Sequence, residues 1–111
     1  MNPANESRAD SGTSDADRVI DCIDKSLETF GESVKQAIYW RLEVEYRLRR
    51  KDIVSKPDVF SLNLSKIFGV GTKTVEHVII ERLRKTFGIR DLMVQDLTGT
   101  IQLVMMKSYE G

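Results

Sequence analysis

The stretch LSKIFGVGTKTVEHVIIERLRKTFG, residues 64–88, decides the fold. Leu64, Ile67 and Phe68 close one apolar stripe, and Gly69 stops it. Gly71 or Thr72 opens the next element, where Val75, Val78, Ile79, Leu83 and Phe87 recur at helical spacing before Gly88. That spacing puts the apolar side chains on one face of an α-helix and does not fit the alternation of a strand. The pair Phe-Gly occurs at 30–31, 68–69 and 87–88, each time where an apolar stripe ends. A core aromatic followed by the residue that tolerates positive φ is the signature of a helix C-terminus.

The same rules read the chain outward from there. Ser14 followed by Asp17 resembles a capping box, with Asp in place of the usual Glu. Val19, Ile20, Ile23, Leu27 and Phe30 then give a first helix over about 15–30. Ser33 is expected to cap a second helix over about 34–48, with Val34, Ala37, Ile38 and Leu42 as its clearest stripe. Tyr39, Trp40, Val44, Tyr46 and Leu48 widen its apolar surface, so this helix is expected to pack on two sides and form the centre of the core. The loop RRKDIVSKP (49–57) follows, with Ile53 and Val54 expected to dock as a short extended segment. Pro57 suits the first turn of a third helix over about 57–68, because its missing N–H would be unpaired there anyway.

Leu97, Ile101, Val104 and Met105 fit a fifth helix capped by Asp96, although Gly99 weakens it by about 1 kcal/mol relative to Ala. The clustered β-branched residues leave an alternative, a hairpin of Leu92–Val94 with Thr100–Val104. The expected architecture is all-α, a small bundle of four to five helices with short connections. It divides into a disordered polar tail over 1–13, a single helical domain over 14–107 and a C-terminal end over 108–111.

Composition narrows the function classes. The 111 residues suit one small domain, and 41% hydrophobic with 31% charged residues is an ordinary globular mix. No apolar run approaches the roughly 20 residues that span a bilayer, so no membrane partner is expected. Met1 to Asp17 is polar and acidic, unlike a secretory signal. The single cysteine, Cys22, has no internal partner, which points to a reducing cytoplasm. One cysteine and one histidine argue against a protein-only zinc site, and no cofactor or small-molecule substrate is implied.

Charge is balanced overall, 17 basic against 17 acidic residues, but not evenly placed. Residues 1–28 hold three basic and seven acidic side chains, a net −4, which leaves +4 for the remainder. Arg47, Arg49, Arg50 and Lys51 form one basic run, and Arg82, Arg84 and Lys85 a second. Such runs attract phosphates or acidic surfaces, and they also occur as solvated helix ends near the negative pole of the helix dipole.

The centre of the deciding stretch, Gly69-Val70-Gly71-Thr72-Lys73-Thr74-Val75, resembles the helix-hairpin-helix motif of DNA-repair and replication proteins. The resemblance covers residues 64–83 and departs at Phe68, where the motif often has Pro, and at Val75, where it often has Ala. It implies that the Gly69 and Gly71 backbone meets a phosphate beside Thr72, that Val70 plugs the core, and that Lys73 reaches the anion, aided by Arg47, Arg49, Arg50 and Lys51. Contacts of this kind read no base sequence. The two glycines also serve plainly as a helix stop and a tight turn.

A second resemblance spans residues 19–89. GESVKQAIYWRLE (31–43), DIVSKPDVF (52–60), KIFGVGTKTVEHVIIERL (66–83) and KTFGI (85–89) are similar, in order and spacing, to the archaeal family called Nitrosopumilus output domain five. That resemblance implies a small helical module of archaeal origin in a signalling or regulatory setting. It transfers no catalytic residue.

No enzyme is expected. Cys22 and His77 are the sole thiol–imidazole combination, and a buried free cysteine is usually an inert small hydrophobe. Glu43 and Glu45 do not share a helix face. The expected function is a non-enzymatic regulatory module that binds a protein partner or a second copy of itself, with Trp40, Val44, Met105 and Met106 as the partner surface. Sequence-independent DNA binding through the Gly-Val-Gly-Thr-Lys segment is the alternative.

Overall fold

Five α-helices build the computed structural model, which describes residues 14–90 and 96–110, with side chains as far as residue 107. They are α1 (Asp15–Glu28), α2 (Glu32–Tyr46), α3 (Pro57–Phe68), α4 (Thr72–Phe87) and α5 (Leu97–Glu110). Short 3-10 turns at Arg50–Asp52 and Gly69–Gly71 lead into α3 and α4. No strand occurs among the described residues, and the all-α expectation holds. The tail over 1–13 and Leu92–Val94 of the alternative hairpin lie outside the described residues; Thr100–Val104 are helical. The helix of α5 runs to Glu110, past the domain end expected at 107.

Local chemistry explains most of the boundaries. Ser14 Oγ accepts from the Asp17 amide at 3.1 Å, and the Asp17 carboxylate accepts from the Ser14 amide at 3.4 Å, which completes the capping box. Asp96 Oδ1 accepts from the Gly99 amide at 2.7 Å and starts α5 in the same way. Gly31, Gly69 and Gly88 all have positive φ, of 116°, 60° and 65°, but the first pair departs from expectation: α1 ends at Glu28, Phe30 is exposed beyond it, and Gly31 caps the start of α2. Gly88, at ψ 36°, is a left-handed cap whose amide bonds the Arg84 carbonyl, a conformation that a Cβ would strain.

The second helix departs from expectation at both ends. It starts at Glu32 with Gly31 as cap residue, and no side chain caps it, so Ser33 lies inside the first turn. It stops at Tyr46 because Arg47 turns left-handed, at φ 57° and ψ 34°. The Arg47 amide bonds Glu43 O at 3.1 Å and the Leu48 amide bonds Leu42 O at 2.9 Å. This reversal drives Leu48 into the core, outside any helix. Ile53 is also fully buried, but at φ −60° and ψ −41° it is a helical turn and not an extended segment.

The core lies between α1 and α4, which run antiparallel: Ser26 meets Arg82 and Cys22 meets Thr86. Val19, Ile23 and Leu27 face Val75, Ile79 and Leu83, with Phe60 and Leu64 of α3 and Leu97, Ile101 and Val104 of α5 closing the cluster. The expectation that α2 is the centre of the core is therefore corrected. It buries only Ile38 and Leu42, while Val34, Tyr39 and Tyr46 are half-buried. The reason is position: α2 lies at the side of the bundle, against α1 and more thinly against α3, and its outward face meets solvent.

Candidate functional site

The hairpin between α3 and α4 forms as the local motif requires, with the two helices joined across Ser61 Oγ and Glu76 at 2.8 Å. Its tip differs from the phosphate cradle that the resemblance implies. Val70 is fully exposed, so it does not plug the core. The Gly69 amide donates to Ser65 O, and the Thr72 amide donates to Gly69 O. Thr72 is buried, and its Oγ1 donates to the same Gly69 carbonyl at 2.6 Å. Two amides at the tip are thus used internally. Lys73 is exposed and has no side-chain partner among the described residues. Glu76 lines the same groove as Lys73, which places a carboxylate where an anion would approach.

The basic run after α2 does not act as one patch. Arg50 is taken up by Asp24: its Nε bonds Oδ1 at 3.0 Å and its Nη2 bonds Oδ2. Tyr39 donates its hydroxyl to the same carboxylate at 2.5 Å. Burial raises the Asp24 pKa, but hydrogen bonds from Arg50 and Tyr39, with the charges of Arg50 and Lys35, outweigh it and hold the carboxyl below its ordinary value. Burial, then Asp24, pushes the Tyr39 phenol far above its usual range. Arg49 pairs with Asp52 at 3.3 Å. Arg47 and Lys51 are exposed and have no side-chain partner among the described residues. Arg47 follows Tyr46, whose ring lies 5.6 Å from Lys66 Nζ near the end of α3. Arg50, three residues on, is turned back to the middle of α2.

The second basic run splits as well. Lys85 is exposed, while Arg82 is half-buried and its Nε donates to Ser26 Oγ at 3.2 Å. Sequence periodicity could not reveal that contact, because Ser26 is a polar residue inside the apolar stripe of α1 and is wholly buried. Cys22 and His77 are not brought together. Cys22 is buried and its thiol donates to Thr86 Oγ1 at 3.4 Å, while His77 is exposed and roughly 13 Å back along α4.

The expected partner surface is partly assembled. Trp40 is 62% exposed and Val44, one turn later on the same face, is 57% exposed. Ala37, also exposed, extends the stripe by a turn toward the start of α2. Polar pairs flank it: Gln36 with Glu32 at 2.9 Å, and Arg41 with Glu45 through two bonds of 3.1 Å. Met106 is 54% exposed, but Met105 packs against the core. Both sit on α5, which packs chiefly on α4, α3 and α1, so the expected surface divides between two helices.

Among the described residues no helix is long and apolar enough to cross a membrane, and no three metal-ligating side chains cluster. No family model matches the chain, and no curated protein or solved structure matches it.

Proposed function

We propose that the chain is a non-enzymatic regulatory module of a reducing cytoplasm that docks a protein partner, or a second copy of itself, on the outward face of α2. The observation that carries this reading is the exposed stripe of Ala37, Trp40 and Val44 on a helix otherwise rich in ion pairs. A large exposed aromatic ringed by satisfied polar groups is the arrangement of an interface anchor. The regulatory part of this reading rests on the resemblance proposed for residues 19–89 to an archaeal output-domain family. A photo-crosslinking residue at Val44 in living cells is expected to give discrete protein adducts, whereas one at exposed Gln102 on α5 is not. Sedimentation of the purified chain separates self-association from a foreign partner. Equal, diffuse labelling from both positions, together with a strict monomer, would remove the reading.

A second reading, sequence-independent DNA binding at the phosphate backbone, is favoured by one observation. Lys73 stands near the exposed tip with no side-chain partner among the described residues, and a side chain added at Gly69 or Gly71 would meet nothing within 4 Å, so the tip is open to an approaching backbone. Binding of this kind weakens steeply with salt, and Lys73→Glu is expected to lower the salt slope by about one or more. A duplex titration that shows no binding at low salt rejects it.

A further inference from the structure

Arg82 is a half-buried cation with no carboxylate partner among the described residues. It lies between α1 and α4, and its only side-chain partner among the described residues is the neutral Ser26 hydroxyl. Ser26 is 0% exposed and in turn donates to Cys22 O at 2.8 Å, so the hydroxyl is fixed and aims the guanidinium. With Nε held, the remaining guanidinium nitrogens have no partner among the described residues. A partly desolvated arginine usually lies against a carboxylate, because burying its charge alone is costly.

The surroundings are those of a binding cleft. A cavity of about 420 Å³ between the helices is lined by Asp17, Asp21, Cys22, Lys25, Arg82, Thr86 and Arg18, the last paired with Asp15 at 3.2 Å. Most of its other charges already have partners: Lys25 pairs with Asp21 at 3.1 Å, and Asp17 is occupied by the capping box. A second depression shares Arg82 and Thr86 and adds the side of Val78, the ammonium of Lys85, His77 and the carboxylate of Glu81. Arg82 thus stands between a polar hollow and a partly apolar wall, with Lys85, which has no side-chain partner among the described residues, nearby.

We propose that the Arg82 cleft between α1 and α4 binds a carboxylate, with the guanidinium as its anchor and Lys85 as a secondary cation. The planar fork of arginine matches a carboxylate bidentately. Asp17, Asp21 and Glu81 on the rim disfavour a phosphate dianion, which brings twice the charge to the same three acids. The Val78 wall accommodates the organic part of an acid. The carboxylate comes either from a free organic acid or from an acidic side chain of a protein.

The test is an NMR titration of the full isotope-labelled chain, following the arginine Nε–H signals. Benzoate, acetate, phosphate and chloride are added at matched ionic strength, and a short glutamate-rich peptide is added separately. The Arg82 Nε–H signal is expected to shift saturably with benzoate, with the Arg82 and Thr86 amides following. Lys85→Gln, at an exposed position, is expected to weaken binding a few-fold, and Arg82→Gln at least about tenfold. Peptide binding tighter than benzoate assigns the carboxylate to a protein, and the reverse order assigns it to a small acid. A wild-type shift that is absent, that chloride reproduces, or that phosphate exceeds overturns the proposal. The wild-type arm decides even if Arg82→Gln fails to fold.

Discussion

Two consecutive helices of nearly equal length have opposite fates. The 14 residues of α1 bury six, Val19, Ile20, Cys22, Ile23, Ser26 and Leu27, while the 15 residues of α2 bury two, Ile38 and Leu42. The apolar residues of α1 are in phase with one face, and that face covers α4. Those of α2 are spread around the cylinder, so no single packing direction can cover them all. What remains outside, Trp40 and Val44, is surface that folding has not used. The comparison separates residues that hold the bundle together from residues left free for a partner.

Substitutions can break or sharpen that contrast. Ile23→Ala, at a wholly buried position of α1, is expected to lower stability by about 2–5 kcal/mol in urea unfolding. Leu42→Ala should fall in the same range, since it is one of the two residues that seat α2. If it costs much less, α2 is held mainly by its polar contacts.

The chief such contact is Asp24, whose side chain is 15% exposed and which ties α1 to Tyr39 and Arg50. Asp24→Asn is expected to cost about 1–3 kcal/mol at neutral pH. The sign of the pH effect follows from its lowered pKa. The folded state favours the ionised carboxylate, so its contribution is present above the ordinary value of 3.8 and is lost as the pH falls through the lower folded value. The stability gap between wild type and Asp24→Asn should therefore narrow below pH 3.8. A gap that stays constant in acid would show that the charge is not what holds the loop.

Smaller effects are expected at the surface. Ser14→Ala removes the cap of α1 and should cost about 1 kcal/mol. Trp40→Ser should change stability by no more than about 0.5 kcal/mol and yet abolish partner binding. Large destabilisation by Trp40→Ser would place the indole in the fold and not at an interface.

Much of the architecture was legible because its causes are local. Ser14 with Asp17, Pro57, Asp96 and the Phe-Gly pairs at 68–69 and 87–88 each act within a few residues, and each marks a real helix end. Leu48 and Ile53 are recognisable as apolar packing residues, but their conformation, Leu48 beyond the helix and Ile53 in a helical turn, escaped because core residues in a loop carry no period. The end of α2 at Arg47 escaped because an arginine gives no sign of a left-handed turn. The surface was the least legible part. The four basic residues within 47–51 look alike in sequence, but Arg50 is bound by a carboxylate 26 positions away and Lys51 by none among the described residues. Val70 looked like a plug because it is apolar between glycines, and only the path of the hairpin shows that it points outward.

The left-handed turn at Arg47 is also a reserve for engineering. A side chain in that conformation carries roughly 1–2 kcal/mol of steric cost. Glycine would relieve it, against about 0.4–1 kcal/mol from a more flexible unfolded chain. With no side-chain partner among the described residues, the Arg47 guanidinium offsets none of that cost within the bundle. A heat-hardened version of the chain would therefore begin at position 47, where the backbone already has the shape that a smaller residue prefers.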